Sequence, residues 1–242
     1  MDWFERDFDH PAYFDIYQDK EEDAAGEGQG LAALLGLARG SRVLDLPCGW
    51  GRLRPGLVAA GLRVVGGDLS PMNLDRHRRE QPGALVRLDL RRLPFRDRSA
   101  DGILCAYTSW GYFASDAENQ RQLAEFARVL KPGGALLLDL VGRNRCFGSL
   151  RLVENRWYDV NGRYRERVRS SPDGRRILTE RVCGGVRFRH DIWIPTDREV
   201  RDALAAAGLA LDEAFGDITG TAWDPEAERW IYRAIRSPNC RA

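Results

Sequence analysis

Lysine is nearly missing from this chain: Lys20 and Lys131 stand alone among 37 basic side chains, so almost every positive charge is an arginine guanidinium. Acidic side chains number 36, and the net charge of +1 leaves no global attraction toward nucleic acid. No apolar run approaches the length needed to span a bilayer, which excludes a membrane-spanning class. Cysteine is sparse and odd in number, at Cys48, Cys105, Cys146, Cys183 and Cys240. Such wide, unrelated spacings argue against a disulfide framework and against a metal cluster, and reduced thiols are expected. The acidic start at Asp2, Glu5 and Asp7 lacks the basic and then apolar order of a secretory signal, so the cytoplasm is the expected compartment. There is no internal repeat and no low-complexity linker.

What is present is organised around Val43-Leu44-Asp45-Leu46-Pro47-Cys48-Gly49-Trp50-Gly51-Arg52-Leu53. An apolar strand ends in a carboxylate, and glycines then turn the backbone into an amphipathic segment. That turn frees backbone N–H groups at a helix start and lets a ligand approach the main chain. Before it, Tyr13, Phe14, Ile16 and Tyr17 recur at helical spacing after Pro11, and 24–35 forms a second helix that stops at Gly36. The first helix covers the sheet and also suits a flap with Tyr13, Tyr17 or Lys20 toward a ligand. After it, strands are predicted over 43–46, 63–68, 84–88, 102–106 and 135–140, with helices over 52–60, 71–80 and 118–130. Ser70 and Pro71 supply a helix cap and first turn. Strand and helix alternating at this pace imply a parallel sheet with right-handed crossovers.

From Arg143 the pattern changes. Extended candidates over 151–160, 163–171, 175–183 and 186–194 are separated by Asn161-Gly162, Pro172-Asp173-Gly174 and Gly184-Gly185, which are turn formers. An antiparallel meander is therefore predicted at 143–194, with Arg163, Arg165, Arg167 and Arg169 on a solvated face. A helix over 197–207 and strands over 209–215 and 230–236 close the chain.

The first strand and its turn resemble the cofactor motif of class I S-adenosylmethionine-dependent methyltransferases. Val64-Val65-Gly66-Gly67-Asp68-Leu69-Ser70-Pro71, Asp89-Leu90 before Leu93-Pro94-Phe95, and Lys131-Pro132-Gly133-Gly134 resemble that family's later motifs, in the family's order. Pro47 departs from the glycine usual there. The resemblance implies a Rossmann-like α/β fold with a seven-stranded sheet ordered 3-2-1-4-5-7-6, the seventh strand antiparallel, and an inserted antiparallel β meander. It implies a helical cap at 1–36, a cofactor-binding core at 37–142 and 195–242, and a substrate lid at 143–194. Ser109-Trp110-Gly111-Tyr112-Phe113 and the insertion resemble a small-molecule branch that includes amino-sugar and glycine N-methyltransferases. A dinucleotide oxidoreductase fits less well, because Cys48-Gly49-Trp50-Gly51 lacks the third glycine of the pyrophosphate fingerprint.

The expected function is methyl transfer from S-adenosylmethionine to nitrogen or oxygen of a small-molecule acceptor, without nucleic acid, membrane or metal; homodimerisation is compatible with it. The alternative is a catalytically silent protein that binds the cofactor and a protein partner. For the cofactor the resemblance implies Asp68 on the ribose diol, Asp89 and Leu90 at the adenine, and Leu69 beside them. Gly49 and Gly51 contribute backbone, and Tyr107 and Tyr17 flank the ligand. Asp45 either organises the glycine loop or reaches the ammonium. Cys48 is not expected to be a nucleophile. His190 is the candidate general base, its imidazole titrating near neutrality, and Tyr112 the group that orients a hydroxyl. His10 and His77 are weaker candidates, His77 on the exposed side of its helix. Tyr13, Trp110 and Trp193 are candidates for the substrate wall, as is Trp157. Arg187 and Arg189 are candidates for an anionic substrate group.

Overall fold

A computed structural model describes residues 2–17 and 22–238. Lys20, named above as a flap residue, lies outside the described residues. Three helices lead in: α1 (Trp3–Asp7), α2 (Ala12–Tyr17) and α3 (Ala24–Leu35), the last ended by Gly36 in the left-handed conformation. Then follow β1 (Arg42–Asp45), α4 (Arg54–Ala59), β2 (Arg63–Asp68), α5 (Pro71–Glu80), β3 (Ala84–Arg87) and β4 (Ala100–Cys105). Ser70 caps α5 by accepting the Asn73 N–H, with Pro71 at its first position. Next come α6 (Asp116–Val129), capped by Ser115, and β5 (Leu130–Val141). Residues 131–134, read above as a family motif, are drawn into the start of β5, where Leu130 already pairs with Ala100 before a register shift. The chain closes with α8 (Asp197–Ala206), β10 (Leu209–Phe215) and β11 (Arg229–Arg236).

The main sheet runs β10-β11-β5-β4-β1-β2-β3, and β11 is antiparallel to both its neighbours. This is the order and polarity that the resemblance implies. The strands at its centre are apolar on both faces because helices cover both. Leu44, Ile103, Leu136 and Leu138 pack one side with Phe126 and Leu204, while Val43, Val64, Leu104 and Leu137 pack the other with Leu31, Leu35 and Leu57. Helix α3 is thus part of the covered core, while α1 and α2, the other helices of the 1–36 segment, contact the inserted sheet.

Between β5 and α8 lies the insertion. Its strands β6 (Trp157–Val160), β7 (Tyr164–Ser170), β8 (Arg176–Cys183) and β9 (Val186–Trp193) form an antiparallel meander. Residues 143–153 are a helix, α7 (Arg143–Val153), where an extended start at Arg151 is predicted. Helical spacing there is carried by Cys146, Phe147 and Leu150, which pack on Ile177 and Ile194, a face too thin to stand out from the flanking arginines. The Arg143 guanidinium donates to the Ile194 carbonyl, so the two ends of the insertion are clasped together. Among the described residues no helix is long and apolar enough to cross a membrane.

Helices α3 and α4 touch backbone to backbone. A Cβ on Gly56 would stand 2.1 Å from the Ala25 carbonyl oxygen, and one on Gly28 2.4 Å from that of Leu53. Gly56→Ala is therefore expected to lower unfolding stability by about 1–3 kcal/mol through overpacking. Gly148→Ala in α7, where a Cβ meets nothing within 4 Å, should be neutral or gain up to about 1 kcal/mol. Urea unfolding midpoints of the two variants check this.

Candidate active site

The parallel strands β1, β2 and β4 end side by side, and a cavity of about 730 Å³ opens over them. Asp45, Gly49, Asp68 and Tyr107 line its near half, Tyr13, Tyr17 and Tyr112 its roof and flank, and His190 its far wall. A narrower slot of about 50 Å³ adjoins it past Asp68, between Leu69, Asp89, Leu90 and the rings of Phe4, Phe8 and Phe113. Of the expected site residues, these are brought together. Gly51 is one step removed, shaping the loop from behind.

The glycine loop is held from below. Gly49 and Gly51 have φ of +53° and +83°, a region that disfavours side chains. A Cβ on Gly51 would lie 2.3 Å from the His77 ring, whereas one on Gly49 meets no protein atom within 4 Å and faces open space. His77 is therefore not exposed: it is 0% accessible and plugs the loop. Burial, with help from Arg54, drops its pKa to about 4, so the imidazole is neutral. Its Nδ1 stands 3.5 Å from Cys48 Sγ. Burial and the charges of Asp68 and Asp45 hold that thiol well above its ordinary pKa, so the pair is no thiolate–imidazolium couple.

Asp68 accepts the Gly49 N–H at 2.8 Å and the Ser70 N–H at 2.9 Å, one on each oxygen. Burial raises its pKa, and those donors pull it back. Each oxygen retains acceptor capacity for a ligand hydroxyl. Asp45 is 1% accessible, and its Oδ2 has no hydrogen-bond partner. Burial lifts its pKa to about 7, against the opposing pull of Arg52. An orphaned carboxylate oxygen on a cavity wall fits a cationic ligand group. Asp89 is engaged: Arg91 donates to both its oxygens and also reaches Asp2 and Glu118, tying the start of α1 to this edge.

Several residues of this wall escape sequence reasoning. Asp139, inside the apolar β5, accepts the Tyr107 N–H at 2.8 Å and pairs with Arg229 at 2.7 Å. It steadies Tyr107 and Thr108, whose φ of +58° and +55° are unusual for residues with side chains. Glu27 of α3 receives Arg52 at 2.7 Å, Arg229 at 2.5 Å and the Tyr107 hydroxyl. Burial pushes the Glu27 pKa up, but the hydrogen bonds from Arg52, Tyr107 and Arg229 outweigh it and leave it below the ordinary value. Arg52 lies 3.9 Å over the Tyr107 ring. A carboxylate within an apolar strand and an arginine straight after the glycines are the only local signals of this cluster.

Four expectations are overturned. Trp110 is 0% accessible and its indole N–H donates to the Asn119 carbonyl at 2.9 Å, so it is core rather than substrate wall. Trp193 packs on it with centroids 5.0 Å apart, away from the cavity. Trp157 lies under Arg167 on the outer side of the meander. Arg187 alternates out of the cavity, with its side chain 66% accessible beside Glu180; Arg189 shares that parity.

Residues 44–138 match the family model described as a methyltransferase domain. The chain is 36% identical to the cypemycin N-terminal methyltransferase of a Streptomyces species over 208 residues, which cover 80% of this chain and 83% of that protein. It belongs to the class I S-adenosylmethionine-dependent methyltransferases. The chain spans just under half the length, 45%, of the first curated relatives it matches, uncharacterised mycobacterial methyltransferases at 37% identity over 115 residues, 47% of this chain. The CcbJ methyltransferase of Streptomyces caelestis shares its fold at a TM-score of 0.75 and 18% identity, over 87% of this chain and 90% of that one. So does the sugar N-methyltransferase KedS8 of a Streptoalloteichus species, at 0.67 and 21%, over 92% and 91%. Within this family fold, Cys48 is a buried packing group. Iodoacetamide at pH 8 followed by peptide mass mapping should leave Cys48 unmodified in the native protein and alkylate it after denaturation.

Proposed function

We propose that this chain transfers the methyl group of S-adenosylmethionine to nitrogen or oxygen of a small metabolite. One observation carries the reading: a single cavity joins the glycine loop, Asp45 and Asp68 to the inner face of the inserted meander. A binding protein that acts through the outside of that meander has no need of such a chamber.

In this reading Asp68 accepts the ribose hydroxyls, as charge-assisted hydrogen bonds. Asp45 faces the ammonium, Gly49 gives the backbone room, and Gly51 keeps the loop in shape. Asp89, Leu69 and Leu90 border the adenine slot, and Tyr107 flanks the methionine end together with Arg52. The cofactor supplies an activated methyl group whose sulfide leaving group needs no proton. The chain's part is orientation and exclusion of water. Tyr13, Tyr17 and Tyr112 close the chamber from above, and segment 143–194 forms its far wall as a lid. Holding two reactants in line is worth several kcal/mol on its own, so a shaped pocket suffices where the acceptor already presents a lone pair.

Incubation with S-adenosylmethionine and a fractionated metabolite extract should release S-adenosylhomocysteine with a one-methyl mass gain on one acceptor. Cofactor affinity with no product in any fraction would favour the silent alternative. Asp68→Ala should weaken S-adenosylhomocysteine binding by about 1.5–3 kcal/mol. A second outcome follows from Asp45, whose carboxyl sits near 7 because burial and Asp68 push it up while Arg52 and Arg54 pull it down. Protonation competes with an ammonium, so affinity should fall as pH drops below about 7, at most tenfold per unit. Isothermal titration from pH 5.5 to 8 should show that slope in the wild type and a flatter one in Asp45→Asn.

A further inference from the structure

Four residues on the inner face of the meander form a chain of hydrogen bonds that ends at the cavity. The Tyr158 hydroxyl donates to Glu166, and Glu166 receives the Arg181 guanidinium. Arg181 Nη1 then stands 2.9 Å from His190 Nδ1 and donates to the Tyr17 hydroxyl at 3.0 Å. The strand pairing makes this possible, since Glu166 lies opposite Arg181 across β7 and β8, and His190 sits one diagonal step away on β9.

A guanidinium has only donors, so the bond at 2.9 Å makes Nδ1 an acceptor. The remaining proton of a neutral imidazole is then on Nε2. Burial, and the charge of Arg181 behind it, keep the ring neutral by lowering its pKa well below the ordinary value. His190 is 4% accessible and its Nε2 has no partner in the protein, although the ring lines the cavity. The ring lies against Trp3 and Phe8, at centroid distances of 4.9 and 5.4 Å. A buried N–H left unpaired costs on the order of 1–3 kcal/mol, a cost that a ligand oxygen removes. The expected general base is thereby reversed into a donor: the lone pair that would accept a proton is already held by Arg181.

The wall beyond His190 tells what surrounds that oxygen. Val141, Cys146, Ile177, Ile192 and Ile194 line this half of the cavity. Arg145 and Glu228, also on the lining, are turned toward solvent, pairing with each other at 2.8 Å with side chains 58% and 74% accessible. A charged acceptor group seated among the isoleucines would lose hydration without gaining a partner.

We infer that His190 is a positioning residue whose fixed Nε2–H docks an oxygen of the methyl acceptor, and that this acceptor is an uncharged molecule with an apolar body. This rests on the methyl-transfer reading above and names its substrate class. The first test needs no cofactor. Long-range proton–nitrogen correlation spectra of ¹⁵N-labelled protein, with the His190 ring assigned through the His190→Gln variant, should show a pyridine-like Nδ1 and a pyrrole-like Nε2 unchanged from pH 6 to 8.5. An imidazolium, or a ring protonated on Nδ1, overturns the inference.

The second test uses protein saturated with S-adenosylhomocysteine, so that failure of cofactor binding is read separately. Acetophenone, benzoate, benzylamine and ethylbenzene are titrated as matched one-ring probes. Acetophenone should bind about tenfold more tightly than ethylbenzene and than either charged probe, and it should shift the Nε2 resonance. His190→Phe should abolish its advantage over ethylbenzene while leaving S-adenosylhomocysteine affinity intact, and His190→Gln, which keeps an N–H donor, should restore part of it. Absence of acetophenone binding, tighter binding of benzoate or benzylamine, or an unchanged preference in His190→Phe overturns the inference.

Discussion

One carboxylate, Asp139, sets the geometry on which the near half of the cavity depends. It takes the Tyr107 N–H and the Arg229 guanidinium, and through them β4, β5, β11 and α3 meet at a single point. Without that acceptor, two consecutive side-chain-bearing residues in the left-handed region would have little reason to stay there. Buried charge clusters of this kind add modestly to stability, because desolvation offsets much of their attraction, but they restrict which arrangement of the chain is acceptable. Here the restriction places Tyr107 and Arg52 on the same cavity wall as Asp45.

The two halves of the chamber use charge in opposite ways. Near the glycine loop, carboxylates line the wall and keep capacity for a polar, partly cationic ligand. On the meander side, the guanidinium of Arg181 is spent inside the protein on Glu166, Tyr17 and His190, and the His190 ring lies among Trp3, Phe8 and Tyr17. A low local dielectric strengthens each such contact and penalises any that is missing. The same cavity thus has a wall rich in carboxylates and a wall that is largely apolar.

Much of this is legible in the sequence itself. Two-sided apolar strands ending in Asp45 and Asp68, and the cap at Ser70, are local features that the chain must satisfy wherever it folds. The strand order is not local, and only the resemblance carried it. Helix α7 escaped because its apolar face is narrow and its boundaries lack a side-chain cap. Trp110 and Trp193 were readable as buried, but nothing local says which side of a buried ring meets a ligand. Arg187 was recoverable: if His190 points inward, strict alternation sends positions 187 and 189 outward. Glu27 and Arg229, 202 positions apart, meet only through the packing of α3 on the sheet, and no window of sequence contains both.

The clasp between Arg143 and the Ile194 carbonyl brings the two ends of a long detour together at the rim of the sheet. A segment whose entry and exit coincide is, to the rest of the molecule, a short connection, and changing its length adds little to the entropy of closing it. In topological terms the insertion is therefore a graft on the main sheet, joined to it at one place. A segment of another length is accommodated between the same two anchor points with the strand ends beneath left in place.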